Sequence, residues 1–158
     1  MARTPHHKKL IINDITLTND LASFQPPVMK KKMADRKGTL VGSKRFVKYE
    51  APEWEAKTEG ISDDVILSCL RDGKDTIVIY LEEGDDDGVP YTLEHTMTGE
   101  TEFSNGESEV GGDLAQSSIK GVSVDKYRHT YNGKVITDFD IGTNDYTIGG
   151  KQYQNRLK

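Results

Sequence analysis

Twelve residues, TLEHTMTGETEF from 92 to 103, alternate with almost no error. Leu93, His95, Met97, Gly99, Thr101 and Phe103 fall on one side, a mostly apolar set broken by Gly99 and Thr101. Thr92, Glu94, Thr96, Thr98, Glu100 and Glu102 fall on the other. A side-chain period of two belongs to a strand, so these are two faces of a sheet. One face can enter a core. The other, made only of threonine and glutamate, needs a watery or polar surrounding.

Further strand-like runs recur along the chain. KLIINDITLTND reads as a first strand, and DTIVIYLEE as another that ends at GDDDGVP. RFVKYEAPEWEAK fits a strand with Pro52 at a bulge or edge and Trp54 as a core anchor. SIKGVSVDKYRHTY and KVITDFDIG flank Asn132-Gly133, the strongest short hairpin signal, since both residues tolerate positive φ. Gly149-Gly150 suits a last turn before KQYQNRLK. SDDVILSCLRDG predicts one short helix: Ser62 caps it, Asp63 and Asp64 complement its start, and Gly73 suits its exit. Ile66, Cys69 and Leu70 form its apolar stripe, with Val65 beside it. Six or seven strands with one helix predict a mainly β fold, an antiparallel β-sandwich or small barrel with a flanking short α-helix.

With 158 residues, a single domain over 1–158 is expected, large enough for a core without staples. Residues 1–9 read as a flexible start. Pro26 and Pro27 force an extended path, and 29–44 reads as a long polar loop. Cys69 is the single cysteine, so no internal disulfide is possible and a reducing compartment suits the chain. No run has signal-peptide or membrane-span character, which points to a soluble cytoplasmic product with no membrane anchor.

The net charge of −5 conceals a segregation. Met29 to Lys48 carries eight basic residues and Asp35, a balance of +7. Leu81 to Asp113 carries eleven acids and no Lys or Arg, a balance of −11. Such a chain can attract copies of itself head to tail; two solvated loops with unrelated charges are the alternative.

Candidate chemistry is sparse. His6-His7 reads as an accidental pair in a mobile end. His95 lies on the apolar face as a core histidine, and His129 is expected to face solvent before its hairpin. No Cys/His set has zinc spacing, and GDDDG lacks the closing acid of an EF-hand loop, so it reads as a solvated turn. There is no phosphate loop, serine elbow or paired thiol and base. Neither catalysis nor a cofactor is expected. The basic run has only Phe46 as an aromatic and no helix signature, which argues against a direct DNA reader.

The order MTGETEFSNGESEVGGD, SIKGVSVDKYRHTYNGKVITDFDI, TNDYTIGGKQYQNRLK resembles the major tail tube protein of contractile-tailed bacteriophages. The Pro-bearing passage, the polar glycine loop, the Glu53-Trp54 strand and the helix at 62–72 follow in the same order. The resemblance runs from about Lys9 to Lys158 on the order and character of elements. The Lys30-Lys31-Lys32 run has no counterpart in it.

The resemblance implies a virion tail protein, assembled in the host bacterial cytoplasm as hexameric rings. Those rings stack into a hollow tube inside a sheath. Tape-measure, baseplate and tail-terminator proteins would be partners, with DNA passing through without sequence-specific binding. On that reading Thr92, Glu94, Thr96, Thr98, Glu100 and Glu102 line the lumen; bulk water or the sheath is the alternative surrounding. The loop bearing Lys30, Lys31, Lys32, Arg36, Lys37, Lys44 and Arg45 would reach a neighbouring ring. Two other readings stand beside it: the inner tube of a phage-derived bacteriocin or type VI secretion-like injector, and a monomeric ligand-binding β-barrel.

Overall fold

The computed structural model describes residues 3–38, 40–60, 63–70, 76–105, 116–143, 145–149 and 151–153. Among these it shows twelve strands and one helix: β1 (Arg3–Ile12), β2 (Ile15–Leu17), β3 (Leu21–Gln25), β4 (Lys31–Arg36), β5 (Ser43–Tyr49), β6 (Trp54–Glu59), α1 (Asp63–Cys69), β7 (Ile77–Asp86), β8 (Val89–Asn105), β9 (Gln116–Tyr131), β10 (Lys134–Asp140), β11 (Asp145–Ile148) and β12 (Lys151–Tyr153). Ten strands form one antiparallel sheet whose main path runs β12-β11-β10-β9-β8-β7-β1-β2. β4 and β5 form a separate two-stranded sheet.

β9 organises the rest. One of its edges pairs with β8 along nearly its whole length. Its other edge is shared: Gln116–Gly121 pair with β6, and Lys126–Tyr131 pair with β10. Between the two halves, two bulges opposite Thr98/Gly99 and Glu100/Thr101, whose extra residues are Asp125 and Val122, bend β9. Bulges increase twist and turn a strand, so the sheet folds over and the β3–β6 pair comes to lie on its inner side. Phe24 of β3 stacks on Tyr80 of β7 at 4.0 Å between ring centroids. The folded-over sheet is the antiparallel sandwich or barrel that the sequence pattern predicts.

Two residues make the fold-over possible. A Cβ on Gly121 would collide with the indole nitrogen of Trp54, and one on Gly99 with the Ser123 carbonyl. Only glycine admits these approaches. Trp54 is 3% exposed and is the anchor expected from sequence.

Two cross-strand rows run through the core. One runs Leu10, Tyr80, His95, His129, Thr137, Ile148; the other runs Ile12, Val78, Met97, Tyr127, Phe139, Tyr146. Leu10, Ile12, Val78 and Met97 are fully buried, each worth about 1.5–3 kcal/mol of transfer free energy. The alternation of β8 holds: residues 91 to 101 are buried at every odd position and half-buried or exposed at every even one.

The helix is present, with a rotated stripe. Val65, Ser68 and Cys69 are buried, whereas Leu70 is 71% exposed and Leu67 60%. The expected Ile66–Cys69–Leu70 stripe is therefore corrected to Val65–Ser68–Cys69. Threonine hydroxyls fix the rotation: Thr101 Oγ1 donates to the Cys69 carbonyl at 3.0 Å, and Thr76 Oγ1 to the Ser68 carbonyl at 3.4 Å. The expected cap Ser62 and exit Gly73 lie outside the described residues, as does most of the acidic connector.

Other departures follow from strand pairing, long-range for β1 and local for the hairpins. The start read as flexible supplies the first half of β1, held by its ladder with β7. The polar stretch 29–44 is β4, a tip and the start of β5. RFVKYEAPEWEAK is two strands, since Pro52 falls between β5 and β6 and cannot donate to a ladder. KLIINDITLTND is likewise split by a turn with Asn13 at φ 53°. GDDDG continues β7 and turns at Asp87-Gly88, with φ of 51° and 85°. Asn132-Gly133 turns at φ of 50° and 80°, as the dipeptide demands. No described helix is long and apolar enough to cross a membrane.

Candidate assembly surfaces

The strands place Thr92, Glu94, Thr96, Thr98, Glu100 and Glu102 together on the face of β8 opposite the core. On the whole sheet that face is not threonine and glutamate alone. Register sets Thr96 beside Arg128, Thr98 beside Lys126 and Glu102 beside Lys120. Asp138 and Asp140 of β10 lie one strand further on, opposite Arg128 and Lys126. Five carboxylates and three cations thus share the β8–β10 face, with two pairs in contact: Lys126–Asp140 at 3.7 Å and Arg128–Asp138 at 4.0 Å. The single-strand pattern could not reveal the β9 cations, because register is a property of strand pairs. Towards β7 and β1 the same face is mixed, with Ile11 opposite Ile79 and Lys9 opposite Leu81.

The hairpin β4–β5 stands apart. Every residue from 30 to 48 that is described is exposed. Directly paired residues share a face, and Val47 is the extra residue of a bulge. One face carries Lys31 with Tyr49, Met33 with Phe46, and Asp35 with Lys44. Phe46 and Tyr49 pack at 4.9 Å between centroids. The other face carries Lys32 with Lys48, Ala34 with Arg45, and Arg36 with Ser43. The seven cations singled out from sequence therefore separate: Lys32, Arg36 and Arg45 share a basic face with Lys48, Lys31 and Lys44 flank the aromatic one, and Lys37 lies at the tip. Lys30 lines a cleft of about 330 Å³ at the hairpin root with Glu50, Glu53, Trp54, Glu55 and Lys120. Like charges set opposite each other repel, so the Lys32–Lys48 face favours an anionic neighbour.

The sheet also has open edges. β1 from Arg3 to Lys9 pairs with β7 on one side, and no described strand pairs with its other side. There Lys8 Nζ donates to the Ala22 carbonyl at 2.7 Å. Short β12 and β2 end the main path. An open edge is a template for another chain, and Pro5 with the flanking charges limits indiscriminate pairing.

Buried polar groups are internal to the core. His95 is 5% exposed, with Nδ1 2.7 Å from the Tyr127 hydroxyl and its ring 4.2 Å from His129. Burial, then the charges of His129 and Arg3, lowers its pKa to about 3. His129 is half-buried in this stack rather than facing solvent, and burial lowers its pKa too. Tyr80 and Tyr91 hydroxyls both donate to Glu82, at 2.7 and 2.8 Å. His6, expected in a mobile end, lies in β1 with Nε2 3.1 Å from Asp85 Oδ2. No described group of three or more His, Cys, Asp or Glu could hold a metal.

Comparison with known proteins agrees with this architecture. No curated protein matches the chain in sequence. Among solved structures, the sheath/tube terminator of an extracellular contractile injection system (PVC), in its extended state, is similar at a TM-score of 0.53 and 6% identity, over 79% of this chain and 94% of that one. At that identity the likeness shows a common fold. The profile of the phage tail tube protein FII family matches residues 6–158. That span takes in the twisted sheet, the hairpin and the helix together, and the chain belongs to the phage tail tube protein FII family.

Proposed function

We propose that the chain assembles as stacked hexameric rings into the hollow tube of a contractile phage tail. DNA leaves through the bore, with the β8–β10 polar face as its wall. One observation carries this reading: a single sheet that turns one face to the core, is polar on the other over β8–β10, and is unpaired along part of its border. Copies set side by side pair those borders, and closure into a ring removes them. A contact that also rises makes a filament of rings. The cleft at the hairpin root and a second one lined by Lys8, Lys9, Glu82 and Glu83 beside Leu21, Leu81 and Leu93 both carry charged groups, which disfavours a monomeric ligand-binding barrel.

A DNA conduit works best when its wall does not hold phosphate. Cations that capture phosphate gain affinity by releasing counterions. On this face carboxylates outnumber cations, and Asp138 and Asp140 lie against Arg128 and Lys126. The sheath, tape-measure, baseplate and terminator are the partners this role requires, and the virion tail is its location. Replacing Glu94, Glu100 and Glu102 with lysine is expected to slow DNA ejection while tubes still form under negative-stain microscopy. Ejection at the wild-type rate from such tubes rejects the bore assignment. The likeness to an injection-system protein favours a second reading, the tube of an injector that carries no genome. Particles purified without encapsidated DNA would select it.

A further inference from the structure

Two hairpin turns of this chain have nearly the same backbone and differ in one side-chain group. Asp87-Gly88 turns at φ of 51° and 85°, and Asn132-Gly133 at 50° and 80°. The first residue is a carboxylate in one and an amide in the other. Asparagine is among the thermolabile residues, and a glycine after it leaves the next amide nitrogen unobstructed. The sequence holds two such steps, Asn105-Gly106 and Asn132-Gly133.

At 132–133 both reacting groups are in view. Asn132 and Gly133 are exposed, so water and hydroxide reach them. Among the described residues the Gly133 amide has no hydrogen-bond partner, so the nucleophile is free. The electrophile is held. Asn132 Oδ1 accepts the Thr92 amide at 2.8 Å, and the Asn132 amide donates to the Thr92 carbonyl at 2.8 Å. This two-bond clasp keeps the side-chain amide against β8. For its carbon to meet the Gly133 nitrogen the side chain must rotate, which gives up the Oδ1 bond.

We propose that Asn132-Gly133 is a spontaneous modification site of this chain, gated by the clasp to Thr92. When the clasp opens, the Gly133 nitrogen gives its proton to hydroxide and bonds to Asn132 Cγ. The Cγ–Nδ2 bond breaks and ammonia leaves, closing a five-membered imide. Water then opens the imide at one of its two carbonyls. Opening at Cγ gives backbone isoaspartate or aspartate according to which C–N bond breaks: loss of the side-chain link gives aspartate, and loss of the main-chain link gives isoaspartate, whose main chain is one carbon longer. The two products differ in consequence. Aspartate keeps an oxygen acceptor for Thr92, and Asp87-Gly88 shows that an aspartate sits in this turn geometry. Isoaspartate puts an extra backbone atom into a two-residue loop, and the Lys134–Tyr131 pairing depends on that loop's length. A chain whose turn has opened is thereby marked, and a closed chain keeps its amide.

The test is incubation of the full chain at mildly alkaline pH, folded and in urea. Peptide mapping by mass spectrometry follows the exchange of NH2 for OH at Asn132, and an isoaspartate-specific methyltransferase label separates the products. The folded chain should lose the Asn132 amide roughly tenfold or more slowly than the unfolded one, since reaction waits on local opening. Thr92→Pro, which removes the donor N–H, should speed the loss in the folded chain roughly threefold or more, the effect of one hydrogen bond. Hydrogen exchange on the wild type gives a second reading that needs no variant: the Thr92 amide should be protected by a similar factor. Asn132→Asp should keep the wild-type urea midpoint, while chains carrying isoaspartate should unfold at lower urea. A folded chain that loses the amide as fast as the unfolded one, or a Thr92 amide that exchanges freely, overturns the gate. An Asn132 that keeps its amide in urea overturns the site.

Discussion

Lowering the pH from 7 to 4.5 should destabilise this protein through His95. Its side chain is buried against Tyr127, Tyr80, Phe24 and the His129 ring. Burial and neighbouring positive charge hold its pKa at about 3, against 6.5 in the open chain. The unfolded chain therefore binds a proton below pH 6.5 that the folded chain refuses. Stability from this group is complete above pH 6.5 and is lost as pH falls towards 3. At pH 4.5 the unfolded state has gained two units of protonation free energy, or about 2.7 kcal/mol at 1.36 kcal/mol per unit. His129, shifted the same way, adds to the loss. Trp54, the single tryptophan, is buried and reports unfolding by fluorescence. With a urea slope of about 1–3 kcal/mol/M, the midpoint should fall by roughly 1–2.5 M between the two pH values.

Carboxylates also protonate over this range, so the comparison is with His95→Gln, which offers Tyr127 a neutral partner. That variant should lose about 2–3 kcal/mol less than wild type between pH 7 and 4.5, whatever its stability at pH 7. Equal losses in the two proteins would refute the assignment. Protein concentration must be fixed, because assembly stabilises the folded state.

Two further outcomes follow from the packing and the charges. Gly121→Ala puts a methyl group into the Trp54 indole; overpacking of this kind costs about 1–3 kcal/mol, visible as a lower urea midpoint and a shifted Trp54 emission. Neutralising Lys30, Lys31, Lys32, Arg36 and Lys37 should slow tube elongation, most at low salt where screening is least. Elongation rates that match wild type at every ionic strength would remove the basic arm from ring stacking.

The sequence disclosed what is local. The period of two in β8, the Asn132-Gly133 turn, Trp54 as an anchor and His95 as a core residue are each set by a residue and its nearest neighbours. What it concealed depends on pairing. Arg3–Ile12 is a strand because it has a ladder with β7, more than sixty residues away. The hairpin was unreadable for the opposite reason: a stretch with every residue exposed has no inward face, so it shows no hydrophobic alternation to detect. The helix was placed correctly, but its rotation is set by Thr76 and Thr101, which lie outside it.

The hairpin shows what register adds to a charge count. A tally of +7 over residues 29–48 describes a uniformly basic arm. The β4–β5 pairing resolves it into an aromatic face, a basic face and an apolar tip. A uniformly basic arm binds any acidic surface, and its binding fades with salt. An arm with an apolar tip needs a particular receiving surface, since burial at Leu40-Val41 is gained only where apolar atoms meet it. Exposed ion pairs are worth about 0–1 kcal/mol each, while full burial of a leucine or valine is worth about 1.5–3 kcal/mol. In a contact between copies the tip should therefore determine whether the subunits hold together, and the lysines how fast they meet. Salt then acts chiefly on the rate of tube growth, and substitutions at the tip on whether a tube persists once grown.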